Sequence, residues 1–387
     1  MSRQARPRKL RGPSRAGERF EVVVGPVAHG GHCVARVEGR AVFVRHALPG
    51  EQVVVEVTEG TDGDRFWRAD AVEVVEQSAD RVLAPCPFAG PGLCGGCDFQ
   101  HVSLPAQRQL KATVVAEQLV RLGRLGPEDP LVRELIVEAV PVPDRPDDGL
   151  RWRTRQRYAA LADGTPAMRK HRSHDLVVVD DCLIAAEGAR PGQPQAVTTS
   201  RGVTAGGATH EFGLEADGFW QVHPAAPAVL VDAVLSALRP RTGERVLDLY
   251  AGVGLFARFL ADAVGDGTRV VAVEADRSAA EHCRDNLASH QGAVVARGSV
   301  DRVLASAHDE PFDLVVLDPP REGAKRRVVE QVADRAPRAV AYVACDPAAL
   351  ARDVAIFAEH GYRLELLRAF DLFPMTHHVE CVALLTR

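Results

Sequence analysis

The second half of the chain alternates apolar strands with helices, and this alternation constrains the fold more than any other feature of the sequence. From about Phe219 onward, helical stretches separate six apolar segments: RVLDLYA, RVVAVEA, GAVVARG, FDLVVLDPP, AVAYVAC and CVALLTR. Strands and helices in alternation form a parallel sheet with helices on both faces. We therefore predict an α/β fold of the doubly wound, Rossmann-like type over residues 216–387.

The first half of the chain is organised differently. Five β-rich segments between Arg19 and about residue 77 are separated by turn residues: FEVVVGPV, GHCVARV, RAVFVRHAL, EQVVVEVTE and FWRADAVEVVE. Short strands at this spacing predict a small closed β-barrel, which we place at residues 17–77. Residues 1–16 are basic and unpatterned, as in a disordered arm, and residues 78–215 form a mixed central region.

Composition limits the class of protein. The chain has 387 residues, enough for two or three domains, with 46% hydrophobic and 26% charged residues and a net charge of −5. No segment approaches the roughly 20 apolar residues that a membrane helix needs, and the basic N-terminal segment lacks the apolar core of a secretory signal. We therefore expect a cytoplasmic protein without a membrane partner, and we expect a monomer.

A glycine loop follows the first strand of the predicted sheet. Gly252 and Gly254 in this loop let a ligand approach the backbone at the carboxyl end of the strand. Glu274 ends the next strand, where a carboxylate is placed to bind ribose hydroxyls. By itself this pattern also fits a dinucleotide. An acid inside the first strand, Asp248, and the Asp-Pro-Pro that begins at Asp318 favour S-adenosylmethionine (SAM).

Cys345 and Glu380 point to a particular reaction. Cys345 ends a buried strand at the same edge of the sheet as the glycine loop, just before a helix whose N-terminus would lower the pKa of the thiol. A thiol beside SAM suits methylation of pyrimidine C5, because thiolate addition to C6 makes C5 nucleophilic. Glu380 begins the last strand, where it would remove the C5 proton. Taken singly, each residue also fits a structural role.

Four motifs, in this order, carry a resemblance to a known family: LDLYAGVGLF, LDPPREG, ACDPAALARD and FPMTHHVE. They resemble the RNA uridine-C5 methyltransferases that form 5-methyluridine in ribosomal and transfer RNA, and the resemblance covers residues 17–387. It implies that Cys345 is the nucleophile and Glu380 the base. It also implies that the SAM site includes Gln221 (in FWQVHP), Tyr250, Glu274 and Asp318, beside Gly252 and Gly254 of the glycine loop.

Three cysteines are clustered at Cys86, Cys94 and Cys97. Such a loop favours a metal site with a fourth ligand, and its spacing alone does not distinguish zinc from an iron–sulfur cluster. The family resemblance implies a 4Fe–4S cluster with Cys182 as the distant ligand, and hence a central iron–sulfur domain at residues 78–215.

The basic residues are concentrated in a way that suits RNA, although the net charge is negative. Four arginines alternate along a predicted strand and three basic residues follow on its expected partner: Arg151, Arg153, Arg155, Arg157, Arg169, Lys170 and Arg172. The N-terminal arm adds Arg3, Arg6, Arg8, Lys9, Arg11 and Arg15. Such patches bind phosphates. The N-terminal barrel resembles a TRAM domain, which implies an OB-like β-barrel that binds RNA. The expected substrate is a flipped uridine in structured RNA, with 23S rRNA favoured and tRNA as the alternative.

Other functions remain open on the sequence alone. An N-methyltransferase uses Asp-Pro-Pro loops but has no need of Cys345. An RNA-binding iron–sulfur protein with a degenerate methyltransferase site would need neither Cys345 nor Glu380. A cytosine-C5 methyltransferase also uses a cysteine, but typically in a different motif.

Overall fold

The computed structural model describes residues 12–189 and 198–387, which separate into two compact units. The first comprises Met1–Leu110, Arg157–Leu183 and Pro374–His377, and the second Lys111–Gln156, Ile184–Phe373 and His378–Arg387, within the described ranges. The basic side chains Arg3, Arg6, Arg8, Lys9 and Arg11 lie outside the described residues.

Nineteen strands and eight α-helices follow one another along the described part of the chain. The strands are β1 (Arg19–Val23), β2 (Val27–Ala28), β3 (His32–Val37), β4 (Arg40–Arg45), β5 (Gln52–Glu59), β6 (Phe66–Glu76), β7 (Val137–Ala139), β8 (Ala159–Ala160), β9 (Pro166–Arg169), β10 (Leu176–Val178), β11 (Thr198–Ala205), β12 (Ala208–Glu215), β13 (Val246–Leu249), β14 (Val270–Glu274), β15 (Ala293–Arg297), β16 (Leu314–Leu317), β17 (Ala339–Ala344), β18 (Arg363–Asp371) and β19 (Glu380–Thr386). The helices are α1 (Leu104–Arg121), α2 (Pro130–Arg133), α3 (Ala226–Leu238), α4 (Leu255–Val264), α5 (Arg277–Asn286), α6 (Val300–Ser306), α7 (Lys325–Asp334) and α8 (Pro347–Glu359).

The first unit is built on a six-stranded sheet in the order β1-β5-β6-β4-β3-β2. Side chains alternate along β5, so that Val53, Val55 and Val57 are buried while their neighbours are more exposed. This period of two is what a strand with one buried face requires. Arg15, predicted to lie in a disordered arm, is ordered beside this sheet, where its guanidinium pairs with Asp62 at 2.5 Å.

Among the described residues of the region assigned to an iron–sulfur domain, the side chains are not arranged as a metal site. Cys86, Cys94 and Cys97 lie in the loop between β6 and α1, and Cys182 follows β10. Across residues 12–189 and 198–387, no group of three or more His, Cys, Asp or Glu side chains is arranged to hold a metal ion. The prediction of a central iron–sulfur domain with a 4Fe–4S cofactor is therefore wrong. Sequence spacing places three thiols on one loop, but it does not set the directions in which their side chains point.

The arginine-rich segment also departs from its prediction. Residues 151–158 form no strand and make a single bridge, from Arg153 to Ala185. The guanidinium groups of Arg153 and Arg155 instead donate to the backbone carbonyls of Arg155 and Gly218, at 3.1 and 2.7 Å. Alternating charges mimic a strand pattern, but here the side chains hold the backbone of an irregular segment.

The second unit contains the predicted doubly wound sheet. Its strand order is β15-β14-β13-β16-β17-β19-β18-β7, and the strands from β15 to β17 are parallel. Every residue of β13, β16 and β17 is buried, because helices cover both faces of a parallel sheet. The Rossmann-like part of the predicted fold is therefore correct. Among the described helices, none is long and apolar enough to cross a bilayer.

The direction of β19 determines where the candidate site lies. The parallel strands β13, β14, β16 and β17 all end at one edge of the sheet, and loops at that edge bind ligands in folds of this type. Because β19 runs antiparallel to β17, its first residue, Glu380, lies at this same edge. Residues distant in sequence therefore meet there.

Candidate active site

The loop after β13 is shaped by backbone conformations that favour glycine. Gly252 and Gly254 have φ angles of 56° and 88°, in the left-handed region, and Gly254 caps the N-terminus of α4. A Cβ on Gly254 would lie 2.9 Å from Sγ of Cys283, whereas a Cβ on Gly252 would meet nothing within 4 Å. The loop thus packs closely on α5 at Gly254 and leaves open space at Gly252.

Glu274 and Asp248 stabilise this loop and the start of α4 by accepting hydrogen bonds from backbone N–H groups. The carboxylate of Glu274 accepts hydrogen bonds from the backbone N–H groups of Gly252, at 2.8 Å, and Asp276, at 2.6 Å. Asp248 accepts from the N–H of Ala257 through Oδ2, at 2.8 Å. Its other oxygen, Oδ1, is buried and has no hydrogen-bond partner in the described part of the chain. A buried acceptor without a partner indicates that a ligand supplies the missing hydrogen-bond donor.

The carboxyl groups at this edge have unusual pKa values. Burial raises the pKa of Asp248 to about 7, and the charges of Asp318 and Glu274 act in the same direction. Burial also raises the pKa of Asp318, at the end of β16, to about 7. Several acids close together disfavour each other's ionisation, and a bound cation would relieve this cost.

Cys345 lies between β17 and α8, as the sequence predicts, but its thiol is not acidic. Asp346 caps the helix by accepting from the N–H of Ala349 at 2.8 Å. Burial raises the pKa of Cys345 to about 12, with further contributions from Glu380 and Asp318, while Arg321 opposes them. The expectation of a lowered pKa is therefore wrong, because burial and two carboxyl groups outweigh the helix N-terminus.

Strand pairing brings Glu380 to Cys345. Ala344 of β17 pairs with Cys381 of β19, so one step further along the antiparallel register places Cys345 opposite Glu380. Glu380 is only 4% exposed, and burial, reinforced by Asp318, raises its pKa well above its ordinary value. Cys345, Glu380 and Asp318 thus form one electrostatically coupled group, although 62 residues separate Asp318 from Glu380.

Two predicted cofactor residues are less closely tied to this group. Tyr250 has a φ of 65° and packs on the hydrophobic cluster that contains Tyr342. Gln221 lies half-buried in the loop between β12 and α3. Its segment is anchored by Thr154, whose backbone N–H donates to the carbonyl of Val222 at 2.8 Å.

Sequence reasoning missed a polar pair at the rim of the site. Nη2 of Arg321 lies 3.1 Å from Nε2 of His378, and the charge of Arg321 lowers the pKa of Cys345. Their positions in the chain are a signal that was available. Arg321 directly follows the Asp-Pro-Pro motif, and His378 lies two residues before Glu380.

The residues at this edge fit SAM. The open space at Gly252, the unpartnered Oδ1 of Asp248 and the group of carboxyls suit a nucleoside that carries amino and sulfonium cations. Gly252 and Gly254 lie in the loop at the carboxyl end of β13, and Glu274 ends the neighbouring strand β14. Ligands bind at this edge of the sheet in folds of this type.

Comparisons with known proteins agree with the fold. Residues 13–72 match the TRAM domain family, and residues 229–342 match the methyltransferase small domain family. An uncharacterized RNA methyltransferase of Streptomyces coelicolor is 45% identical, over 99% of this chain and 98% of that protein. The 23S rRNA (uracil(1939)-C(5))-methyltransferase RlmD of Halomonas elongata is 33% identical, over 95% of this chain and 89% of that protein.

A solved structure shares the fold over nearly the whole chain. It is the Pyrococcus abyssi tRNA (uracil-54, C5)-methyltransferase in complex with S-adenosyl-L-homocysteine, with a TM-score of 0.66 and 22% identity, covering 94% of this chain and 99% of that one. The fold and the site thus define a Rossmann-like methyltransferase. The chain belongs to the RNA (uracil-C5) methyltransferase family, which confirms the resemblance seen in its motifs.

Proposed function

We propose that the protein uses SAM to methylate C5 of a uridine in structured RNA, through a covalent bond between Cys345 and C6 of the base. The observation that carries this proposal is the pairing of a thiol and a carboxyl at the carboxyl edge of the sheet, at Cys345 and Glu380. An N-methyltransferase has no use for this pair. A degenerate site would have no reason to keep both residues buried and coupled.

The reaction begins at Cys345. Its thiolate adds to C6 of the uracil, and the electron pair displaced from the C5–C6 double bond makes C5 nucleophilic. SAM would supply an electrophilic methyl group, which C5 takes up as the bond between that methyl group and the sulfonium sulfur breaks and S-adenosylhomocysteine leaves. The raised pKa of Cys345 implies that the thiol is protonated until a base removes its proton. That proton passes to solvent and not to Glu380, so the carboxylate of Glu380 stays available for the second half of the reaction. Glu380 is a carboxyl of unusually high pKa in the adjacent register position, and its carboxylate is therefore a stronger base than an exposed one.

The second half of the reaction requires a base at C5. After methylation, C5 carries both the methyl group and its original proton, and removing the proton lets the electron pair re-form the double bond as the Cys345 thiolate leaves C6. We assign this proton removal to Glu380. Its burial excludes water, which would otherwise compete for the covalent intermediate.

The relatives guide the choice of RNA. Two relatives named RlmD, from Halomonas elongata and Chromohalobacter salexigens, act by name on uracil 1939 of 23S rRNA, at 33% and 31% identity over most of both chains. The structural neighbour from Pyrococcus abyssi acts by name on tRNA but is only 22% identical. We therefore propose 23S rRNA as the substrate, with residues 17–77 as an RNA-binding domain and residues 216–387 as the catalytic domain.

Two substitutions test the mechanism. Cys345→Ala is expected to abolish both methylation and any covalent RNA adduct while SAM still binds. Glu380→Gln is expected to stall after methyl transfer, so that a protein–RNA adduct accumulates and survives denaturing electrophoresis. Methyl transfer is measured with radiolabelled SAM on 23S rRNA and tRNA that lack 5-methyluridine, and the modified base is then mapped.

A matched variant controls for damage to packing. Cys381→Ala removes a buried thiol one residue from Glu380 and is expected to retain methylation. An adduct that persists in Cys345→Ala would identify another nucleophile. Full turnover by Glu380→Gln would remove that residue from the role of base.

A further inference from the structure

A groove in the first unit has no part in the proposed chemistry. Its volume is about 490 Å³, which lies in the range of ligand-binding pockets. It is bordered by residues of β6, by the segment after that strand and by the loop that leads to α1. We call it the N-terminal groove and define it by six of its residues: His46, Val72, Val82, Leu83, Gln100 and His101.

Three residues that line the groove, which we call its floor, carry buried polar atoms without partners. Oε1 of Gln100 and Nε2 of both His46 and His101 make no hydrogen bond within the described ranges. Gln100 and His101 are only 3% and 8% exposed, and the rings of His46 and His101 lie 6.0 Å apart. Native structures rarely leave buried polar atoms unpaired, so three at the floor of one groove indicate a ligand that pairs with them.

Two of the three atoms, Nε2 of His101 and Oε1 of Gln100, act as hydrogen-bond acceptors. Burial lowers the pKa of His46 to about 3 and that of His101 to about 4, so both rings are neutral near pH 7. A hydrogen bond to the backbone of Ala47 raises the pKa of His101, which identifies the bonded ring nitrogen as a donor to that carbonyl. In a neutral imidazole the other nitrogen, here Nε2, then carries a lone pair. Oε1 of Gln100 is an acceptor by its chemistry.

Three exposed apolar side chains, which we call the wall, line the groove beside charged residues that include Glu73 and Arg81. Leu83 is 95% exposed, and Val82 and Val72 are 42% and 37% exposed. Exposed apolar side chains that line a groove mark a place where a partner binds. A flat ring that packs against this wall would cover it and direct the edge of the ring to the polar floor.

We propose that the N-terminal groove binds one unstacked, amino-bearing nucleobase of the RNA, a proposal that rests on the proposed function. The exocyclic amino group of adenine or cytosine has two N–H donors and can satisfy two of the floor acceptors at once. Uracil offers a single N–H between two carbonyl oxygens, which would repel these acceptors. The groove therefore recognises a nucleotide other than the methylated uridine and so contributes to the choice of RNA.

The test compares two ligands that differ by one amino group. Two fluorescently labelled hexaribonucleotides consist of uridine except at one central position. One carries adenosine at that position, and the other carries purine ribonucleoside, which lacks the amino group. Fluorescence anisotropy with the full-length protein is expected to show about three- to tenfold tighter binding of the adenosine oligonucleotide, as one or two net hydrogen bonds contribute. Because this comparison uses the wild type, it does not depend on the folding of a variant.

Three variants localise the effect. His101→Phe removes an acceptor while keeping a ring of similar shape, and is expected to abolish the preference for adenosine. Leu83→Ser is expected to weaken binding of both oligonucleotides. Val75→Ser is the matched control, because Val75 is 54% exposed on β6 but does not line the groove, and it is expected to bind as the wild type does.

The outcomes separate this proposal from the proposed function. Equal binding of the two oligonucleotides by the wild type, no measurable binding, or an unchanged preference in folded His101→Phe would each overturn the groove assignment. Methylation of RNA in the absence of any adenosine preference would overturn the groove assignment alone. A clear preference in a protein that methylates no RNA would overturn the proposed function alone, and Cys345→Ala is expected to keep the preference.

Discussion

At the scale of single residues, the candidate site consists of groups whose ordinary chemistry is altered by burial. Asp248 is the clearest case, because its pKa is raised from 3.8 to about 7 in the folded protein. The folded state holds this proton more tightly than the unfolded chain does. The carboxyl therefore contributes stability that is fully present below pH 3.8 and is lost as the pH rises towards 7.

The variant Asp248→Asn tests this dependence. Its amide keeps an oxygen for the N–H of Ala257 but does not titrate. Relative to the variant, the wild type is expected to lose up to about 4 kcal/mol in free energy of unfolding between about pH 4 and pH 8, measured by urea titration without SAM. Asp163→Asn is the control. Hydrogen bonds from Thr165 lower the pKa of Asp163, so relative to this variant the wild type should gain free energy of unfolding as the pH rises. If the difference in free energy of unfolding between the wild type and Asp248→Asn does not change with pH, the raised pKa of Asp248 is contradicted.

At the scale of secondary-structure elements, a buried ion pair joins α1 to the end of β18. Nζ of Lys111 lies 2.6 Å from Oδ1 of Asp371 and donates to the carbonyl of Phe373 at 3.0 Å. The two side chains are only 1% and 2% exposed. Removing one partner leaves a buried charge without compensation, which costs far more than the pair itself contributes.

We expect Lys111→Met to lower the free energy of unfolding by about 3–5 kcal/mol. The double variant Lys111→Met with Asp371→Leu should recover most of this loss, because no charge then remains buried. Arg121→Met is the matched control on the same helix: its pair with Glu117 is exposed and should contribute about 0.5 kcal/mol or less. Urea unfolding midpoints measure all three, and a Lys111→Met variant as stable as Arg121→Met would exclude this role.

At the scale of the whole molecule, RNA binding depends more on where the charged residues lie than on the net charge. The net charge is −5, yet residues 2–11 contain five basic side chains: Arg3, Arg6, Arg8, Lys9 and Arg11. Deleting these residues is expected to weaken RNA binding and to reduce the slope of log affinity against log salt by up to about 4. The affinity for SAM should not change. Anisotropy titrations over a range of salt concentrations measure the slope, and an unchanged slope would show that this segment makes no phosphate contacts.

The sequence by itself determined the fold of the second unit and the edge of the sheet at which the site lies. Burial in a parallel sheet leaves a continuous apolar pattern in each strand, and the residues that follow such strands must meet at one edge. This is why the positions of Cys345, Glu274 and Asp318 could be predicted from local pattern. The motifs around them were also sufficient to recognise the family.

Only the tertiary structure decided how these residues behave. The register of β17 and β19 places Cys345 opposite Glu380, and the pKa of Cys345 is raised rather than lowered because burial and two carboxyl groups act on it together. The predictions for the four cysteines and the arginine-rich segment were wrong for the same reason. Spacing along a chain records which residues are near in sequence, whereas desolvation, the direction of a thiol and the partner of a guanidinium depend on segments that come together only in the folded molecule.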